Sequence, residues 1–181
     1  MDLNNEDKLI TEEEVLNNLR ACAQVYTMGG DKLLKDHVLN FKDVTEDFDK
    51  LIKRLKLFRN YYGTSFSFQD FIFYMGLLME SANETEGDFI FYRREKDNYM
   101  IEHLEGDTYT YDLALSATIV NNNFAYGEYL HGILVPKGTK INYIEDISFF
   151  PEDMELLLPL DGKLKFIEPK NGCYLWILDS E

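Results

Sequence analysis

The chain has 181 residues, with 33 acidic against 18 basic side chains and a formal net charge of −15; a field of that sign repels nucleic-acid phosphates and anionic membranes. Hydrophobic content of 45% and aromatic content of 14% supply a core and argue against wholesale disorder, and the length suits one compact domain, with or without a helical appendage. Cys22 and Cys173 are the only cysteines and lie far apart, without Cys-x-x-Cys or Cys/His spacing, so neither a disulfide framework nor a metal site is expected.

In chain order, the start Met-Asp-Leu-Asn-Asn-Glu-Asp is acidic where a secretory signal would be basic and then apolar. Residues 10–80 read as helical. Thr11 and Glu14 form a capping box ahead of Val15, Leu19, Cys22 and Tyr26 at near-helical spacing. Gly29-Gly30 is expected to stop that helix. A second helix is predicted from Thr45, with Phe48, Leu51, Ile52, Leu55 and Phe58 on one face. A third follows Ser67 as N-cap and Asp70 three residues on, carrying Phe71, Ile72, Met75, Leu78 and Met79. Its apolar run, Phe71 to Met79, is far shorter than the ~20 residues that span a bilayer. A soluble, monomeric protein is expected, cytoplasmic in the producing or the target cell. The stretch 81–87 reads as a polar connector.

From Asp88 the hydrophobic period changes from helical to alternating. Strands are predicted at 89–94, 113–120, 130–135, 140–144, 154–158, 163–167 and 173–178. They are separated by turn chemistry at Asn121-Asn122-Asn123, Pro136-Lys-Gly138, Leu160-Asp-Gly162 and Lys170-Asn-Gly172. Helices first and strands afterwards give an α+β class, divided into a helical portion, 1–84, and a β-rich portion, 85–181.

Three polar positions stand among the apolar strand segments. They are Arg93 in Phe-Ile-Phe-Tyr-Arg-Arg (89–94), Ser116 in Leu-Ala-Leu-Ser-Ala-Thr-Ile-Val (113–120), and Glu155 in Pro-Glu-Asp-Met-Glu-Leu-Leu-Leu-Pro (151–159). In that order they resemble the Arg-Ser-Glu signature of mono-ADP-ribosyltransferases, a class that includes toxin and phage-effector exoenzymes, over roughly residues 85–180. The resemblance implies amino-terminal helices packed against a two-sheet, mixed or antiparallel β core. It makes 85–181 the NAD-binding catalytic portion, with NAD as co-substrate, no metal, and a protein as acceptor of ADP-ribose.

Each residue type meets one demand of that reaction. A guanidinium offers several fixed donors to phosphate or ribose oxygens, which suits Arg93 to anchor the dinucleotide. Relatives often carry Gly after this Arg; here Arg94 follows, and strand alternation lets only one of the two face a cleft, with Arg93 favoured. By resemblance Ser116 orients the catalytic glutamate and lines the nicotinamide-ribose pocket. Thr118 lies on the same face, and Phe124 stacks on nicotinamide. Glu155 would accept a hydrogen bond from the ribose 2′-hydroxyl and gain strength as positive charge develops at the anomeric carbon. Asp153 shares its face if the segment is extended and takes the acceptor-side position, where relatives have Glu or Gln; a shifted register would put Glu152 there. The preceding segment, Tyr143 to Phe150, resembles the acceptor-recognition loop, with Phe149 and Phe150 as apolar contacts.

His37, His103 and His131 form no recognisable cluster. No Gly-x-Gly-x-x-Gly, phosphate-binding P-loop or nucleophile elbow is present. The competing reading is a non-enzymatic acidic binding or inhibitor protein on a degenerate transferase fold, resting on the −15 charge. Labelled NAD incubated with a lysate separates the two.

Overall fold

The computed structural model describes residues 11–63, 65–119, 127–149 and 151–179. The elements in order are α1 (Glu12–Val25), a π-turn (Tyr26–Gly30), α2 (Asp31–Asn40), α3 (Thr45–Leu55), α4 (Phe68–Glu80), β1 (Asn83–Glu84), β2 (Phe89–Glu95), α5 (Tyr99–Glu102), β3 (Thr108–Thr110), β4 (Ser116–Thr118), β5 (Tyr129–Val135), β6 (Lys140–Tyr143), two 3-10 turns (Glu145–Ile147 and Pro151–Asp153), β7 (Glu155–Leu157), β8 (Lys163–Lys170) and β9 (Cys173–Asp179). The class is α+β. The chain divides into two compact units, and the boundary, Met75/Gly76, falls inside α4. Among the described residues no helix is long and apolar enough to cross a membrane.

In the first unit the predicted capping boxes set the helix starts. Thr11 Oγ1 accepts the Glu14 amide at 3.2 Å, and Glu14 Oε2 accepts the Thr11 amide at 2.9 Å. Ser67 and Asp70 make the same reciprocal pair ahead of α4, at 3.1 and 2.8 Å. Gly29 breaks the first helix, as its φ of 111° is open to glycine and strained for other residues. The chain does not stop there, however. It turns and restarts as α2, which ends at Phe41 in the left-handed region, φ 52°. Cys22, Phe48, Leu55 and Phe71 are fully buried in this unit. Buried Gln24 is satisfied at both ends, donating to the Asn60 carbonyl at 2.9 Å and accepting the Tyr62 amide at 3.2 Å.

The second unit is built on one nine-stranded sheet, in the order β1-β6-β7-β4-β2-β5-β9-β8-β3. Where two sheets are expected, the pairing runs unbroken, because β2 is hydrogen-bonded on both sides, to β4 and to β5. Among the described residues only β5 and β9 pair in parallel. One face carries the core: Phe91, Ala117, Ile133, Leu156, Leu164 and Trp176 are buried together. Trp176 is its centre, with Phe166 edge-on at 5.0 Å and Tyr109 at 6.3 Å between ring centroids. The short edge strands β1 and β3 and the single turn α5 escape the sequence reading. Asn142 on β6 donates to the Leu78 carbonyl near the end of α4, which satisfies a backbone acceptor that the helix leaves open.

Candidate active site

Three neighbouring strands, β7, β4 and β2, carry the polar trio. Ser116, Ala117 and Thr118 lie opposite Leu157, Leu156 and Glu155 in antiparallel register. Residues directly opposite share a face, so Thr118 and Glu155 project together and Ser116 lies on that same side. Ala117 and Leu156 point the other way, into the core. All three polar residues are half-buried.

Arg93 comes from the adjacent strand. Its Nη1 donates to the Ser116 carbonyl at 2.9 Å and to Ser116 Oγ at 3.2 Å. Its Nε donates to Glu95 Oε1 at 3.0 Å. The guanidinium therefore spans β2 and β4 at the Ser116 end. Arg94 Nη1 donates to the Gly127 carbonyl at 3.4 Å, and the Tyr92–Thr118 pairing puts position 94 on the Thr118 face of the sheet. Of the two arginines, Arg93 is the one held against Ser116.

The acidic segment departs from the extended geometry considered above. Pro151–Asp153 is a 3-10 turn, Met154 is left-handed with φ 45°, and the strand begins only at Glu155. Simple alternation therefore does not place Asp153 and Glu155 on one face. The Met154 amide closes the turn onto the Pro151 carbonyl at 3.1 Å, and its own carbonyl accepts the Ile119 amide at 3.3 Å. The turn is thereby tied to the end of β4. Burial, then the neighbouring Glu152, raises the Asp153 carboxyl above its ordinary range. Phe149 is half-buried in the loop after the first 3-10 turn. Phe124 and Phe150 lie outside the described residues.

Two residues that the sequence reading left out also converge here. Glu95 sits two positions after Arg93 on β2, and His131 of β5 is the register partner of Arg93. His131 Nδ1 accepts the Trp176 indole N–H at 3.1 Å, and its Nε2 is 3.6 Å from Glu95 Oε2. His131 thus belongs to a buried cluster with Glu95 and Trp176. Burial first, then the Arg93 charge, lower its pKa to about 4 against the raising effect of Glu95. Period-two spacing could have flagged Glu95; His131 depends on a strand pairing that no local signal reveals.

The sequence profile of the ADP-ribosyltransferase exoenzymes matches residues 12–171, which include Arg93, Glu95, Ser116, Thr118, His131, Asp153 and Glu155. The chain belongs to that family. No curated protein matches it by sequence. Solved structures of similar fold include Plx2a, an ADP-ribosyltransferase toxin from Paenibacillus larvae, at 17% identity and a TM-score of 0.55 over 94% of this chain and 88% of that one. The Clostridium limosum C3 exoenzyme matches at 15% identity and 0.56, over 90% and 85%. The catalytic domain of VahC from Aeromonas hydrophila matches at 14% and 0.58, over 90% and 98%. Family and fold together make this chain a toxin-like mono-ADP-ribosyltransferase. Within this exoenzyme the Arg93–Ser116 contact and the Thr118–Glu155 pairing occupy the centre of the sheet order.

Proposed function

We propose that the exoenzyme cleaves the nicotinamide–ribose bond of NAD and transfers ADP-ribose to a side chain of a protein, as an effector or toxin would. One observation supports this above others: Arg93 donates to both oxygens of Ser116, while Glu155 stands opposite Thr118, two residues along the same short strand. Anchor, hydroxyls and carboxylate are thus carried by three adjacent strands.

In this reading Arg93 binds the pyrophosphate, and Ser116 and Thr118 line the ribose pocket and orient Glu155. The carboxylate of Glu155 accepts the 2′-hydroxyl hydrogen bond. As the bond from C1′ to the nicotinamide nitrogen breaks, the electron pair leaves with nicotinamide and positive charge spreads over C1′ and the ring oxygen. A fixed carboxylate there stabilises the transition state more than bound NAD, and only such a difference speeds the reaction. The acceptor atom, or water in its absence, then bonds to C1′ and gives up a proton. Asp153, a carboxylate held in the turn just before Glu155, suits the acceptor side, where a raised pKa favours taking that proton. Phe149 supplies an apolar contact for the protein acceptor.

The test is incubation of the protein with a cell lysate and NAD labelled in its adenylate phosphate. A labelled protein band with wild type, reduced about 10²–10³-fold in rate by Glu155→Gln, is the expected result. The absence of both a labelled band and nicotinamide release with wild type would contradict the proposal.

A further inference from the structure

Arg93 does not stand alone. On β2 it shares a face with Phe91 and Glu95, and its side chain retains only 27% of its exposure. A single guanidinium at a partly buried position has many rotamers, and two of its nitrogens are held before any substrate arrives. Nε is fixed by Glu95 Oε1 at 3.0 Å, and Nη1 by the two Ser116 oxygens. Among the described residues Nη2 enters no hydrogen bond. A planar fork held at two corners presents its third in one direction, which reduces the ordering cost of gripping a phosphate.

Glu95 is itself fixed. Its side chain is 10% exposed, and Oε2 accepts the Met100 amide at 3.3 Å. Behind it His131 is fully buried. The indole of Trp176 is a donor only, so His131 Nδ1, which receives it, carries no proton. The ring proton therefore sits on Nε2, the atom nearest Glu95 Oε2 at 3.6 Å. A buried carboxylate costs free energy unless charge and donors surround it. Here Arg93 and the Met100 amide do so, and His131 Nε2, 3.6 Å from Oε2 and without a hydrogen-bond partner of its own among the described residues, packs behind them.

We propose that Glu95 is a positioning residue for the NAD-gripping Arg93, braced from behind by the His131–Trp176 pair. This rests on the proposed NAD reaction. Glu95→Gln keeps the size of the side chain and removes its charge. It also turns an amide donor toward either Arg93 Nε or the Met100 amide. The guanidinium loses its fixed corner while Glu155 is untouched, so binding suffers and the bond-breaking step does not.

The experiment is a double-mutant cycle on steady-state nicotinamide release from NAD, with thermal melts to check folding. Glu95→Gln raises the KM for NAD about tenfold and leaves kcat within about twofold, and Glu95→Asp recovers part of the loss. Arg93→Ala raises KM by at least as much. Glu95→Gln added to Arg93→Ala costs nothing further, because the residue acts through the arginine that is gone. Should Glu95→Gln fail to fold, the same cycle is run with Glu95→Asp, with a rise of about threefold that vanishes in the Arg93→Ala background. An unchanged KM, or a cost that simply adds in that background, overturns the inference alone if wild type is active and Arg93→Ala is impaired. A wild-type protein that neither binds nor cleaves NAD overturns the reaction and this inference with it.

Discussion

At residue scale the site combines ionisable groups that would repel if all were charged. Arg93 and His131 are opposite each other on paired strands, with Glu95 between them. Burial keeps His131 neutral, with its pKa lowered from 6.5 to about 4, and a protonated ring would also lose the Trp176 hydrogen bond. The folded-state value lies below the unfolded one, so the unfolded chain binds the extra proton first as the medium turns acidic. The stability His131 contributes is therefore complete above about pH 6.5 and is lost progressively as pH falls toward 4. Thermal melts should show a steeper decline across that window in wild type than in His131→Gln, and the His131 ring resonances should titrate near 4. A midpoint near 6.5 would contradict the buried, neutral ring. In the sequence, motif order favours Arg93 over Arg94, and alternation tells that the two face opposite sides of the strand, because side-chain direction there is local. It does not reveal His131, because the partner of Arg93 lies 38 positions away along the chain.

At the scale of elements the decisive feature is the entry to β7. Met154 has a positive φ of 45° immediately before Glu155, and the strand begins one residue later than the predicted 154. Left-handed backbone costs an L-residue about 1–2 kcal/mol, more for β-branched side chains, and nothing comparable for glycine. Met154→Ile should therefore lower unfolding free energy by about 1–2 kcal/mol, and Met154→Gly should leave it unchanged or raise it slightly. Urea titrations measure both. If the isoleucine variant costs nothing, the turn does not fix the approach of Glu155. Helix starts follow from local chemistry, so Ser67→Ala should cost about 1 kcal/mol through its lost cap. Helix starts are legible because a capping box is three residues apart. The restart at α2 is not, because a glycine pair reads equally as a stop or a bend. Strands of two or three residues, such as β1 and β3, have no room for a period.

At the scale of the whole molecule, the strand order is the property least available from sequence. The order β7-β4-β2 brings together residues from positions 155, 116 and 93, and only long-range pairing decides it. The class, helices followed by strands, is legible from the change in hydrophobic period near Asp88. The net charge of −15 makes the folded chain repel itself, so salt should stabilise it: raising NaCl from 0.05 to 0.5 M should lift Tm by about 2–5 °C. A Tm that falls with salt would mean that ion pairs outweigh the repulsion. The account as a whole turns on Glu155 acting during bond breaking rather than in holding NAD. The most direct measurement is single-turnover nicotinamide release by wild type and Glu155→Gln at saturating NAD, with NAD Kd determined for each. Release slowed about 100-fold or more with Kd within about twofold is the predicted result; equal release by the two proteins would contradict it.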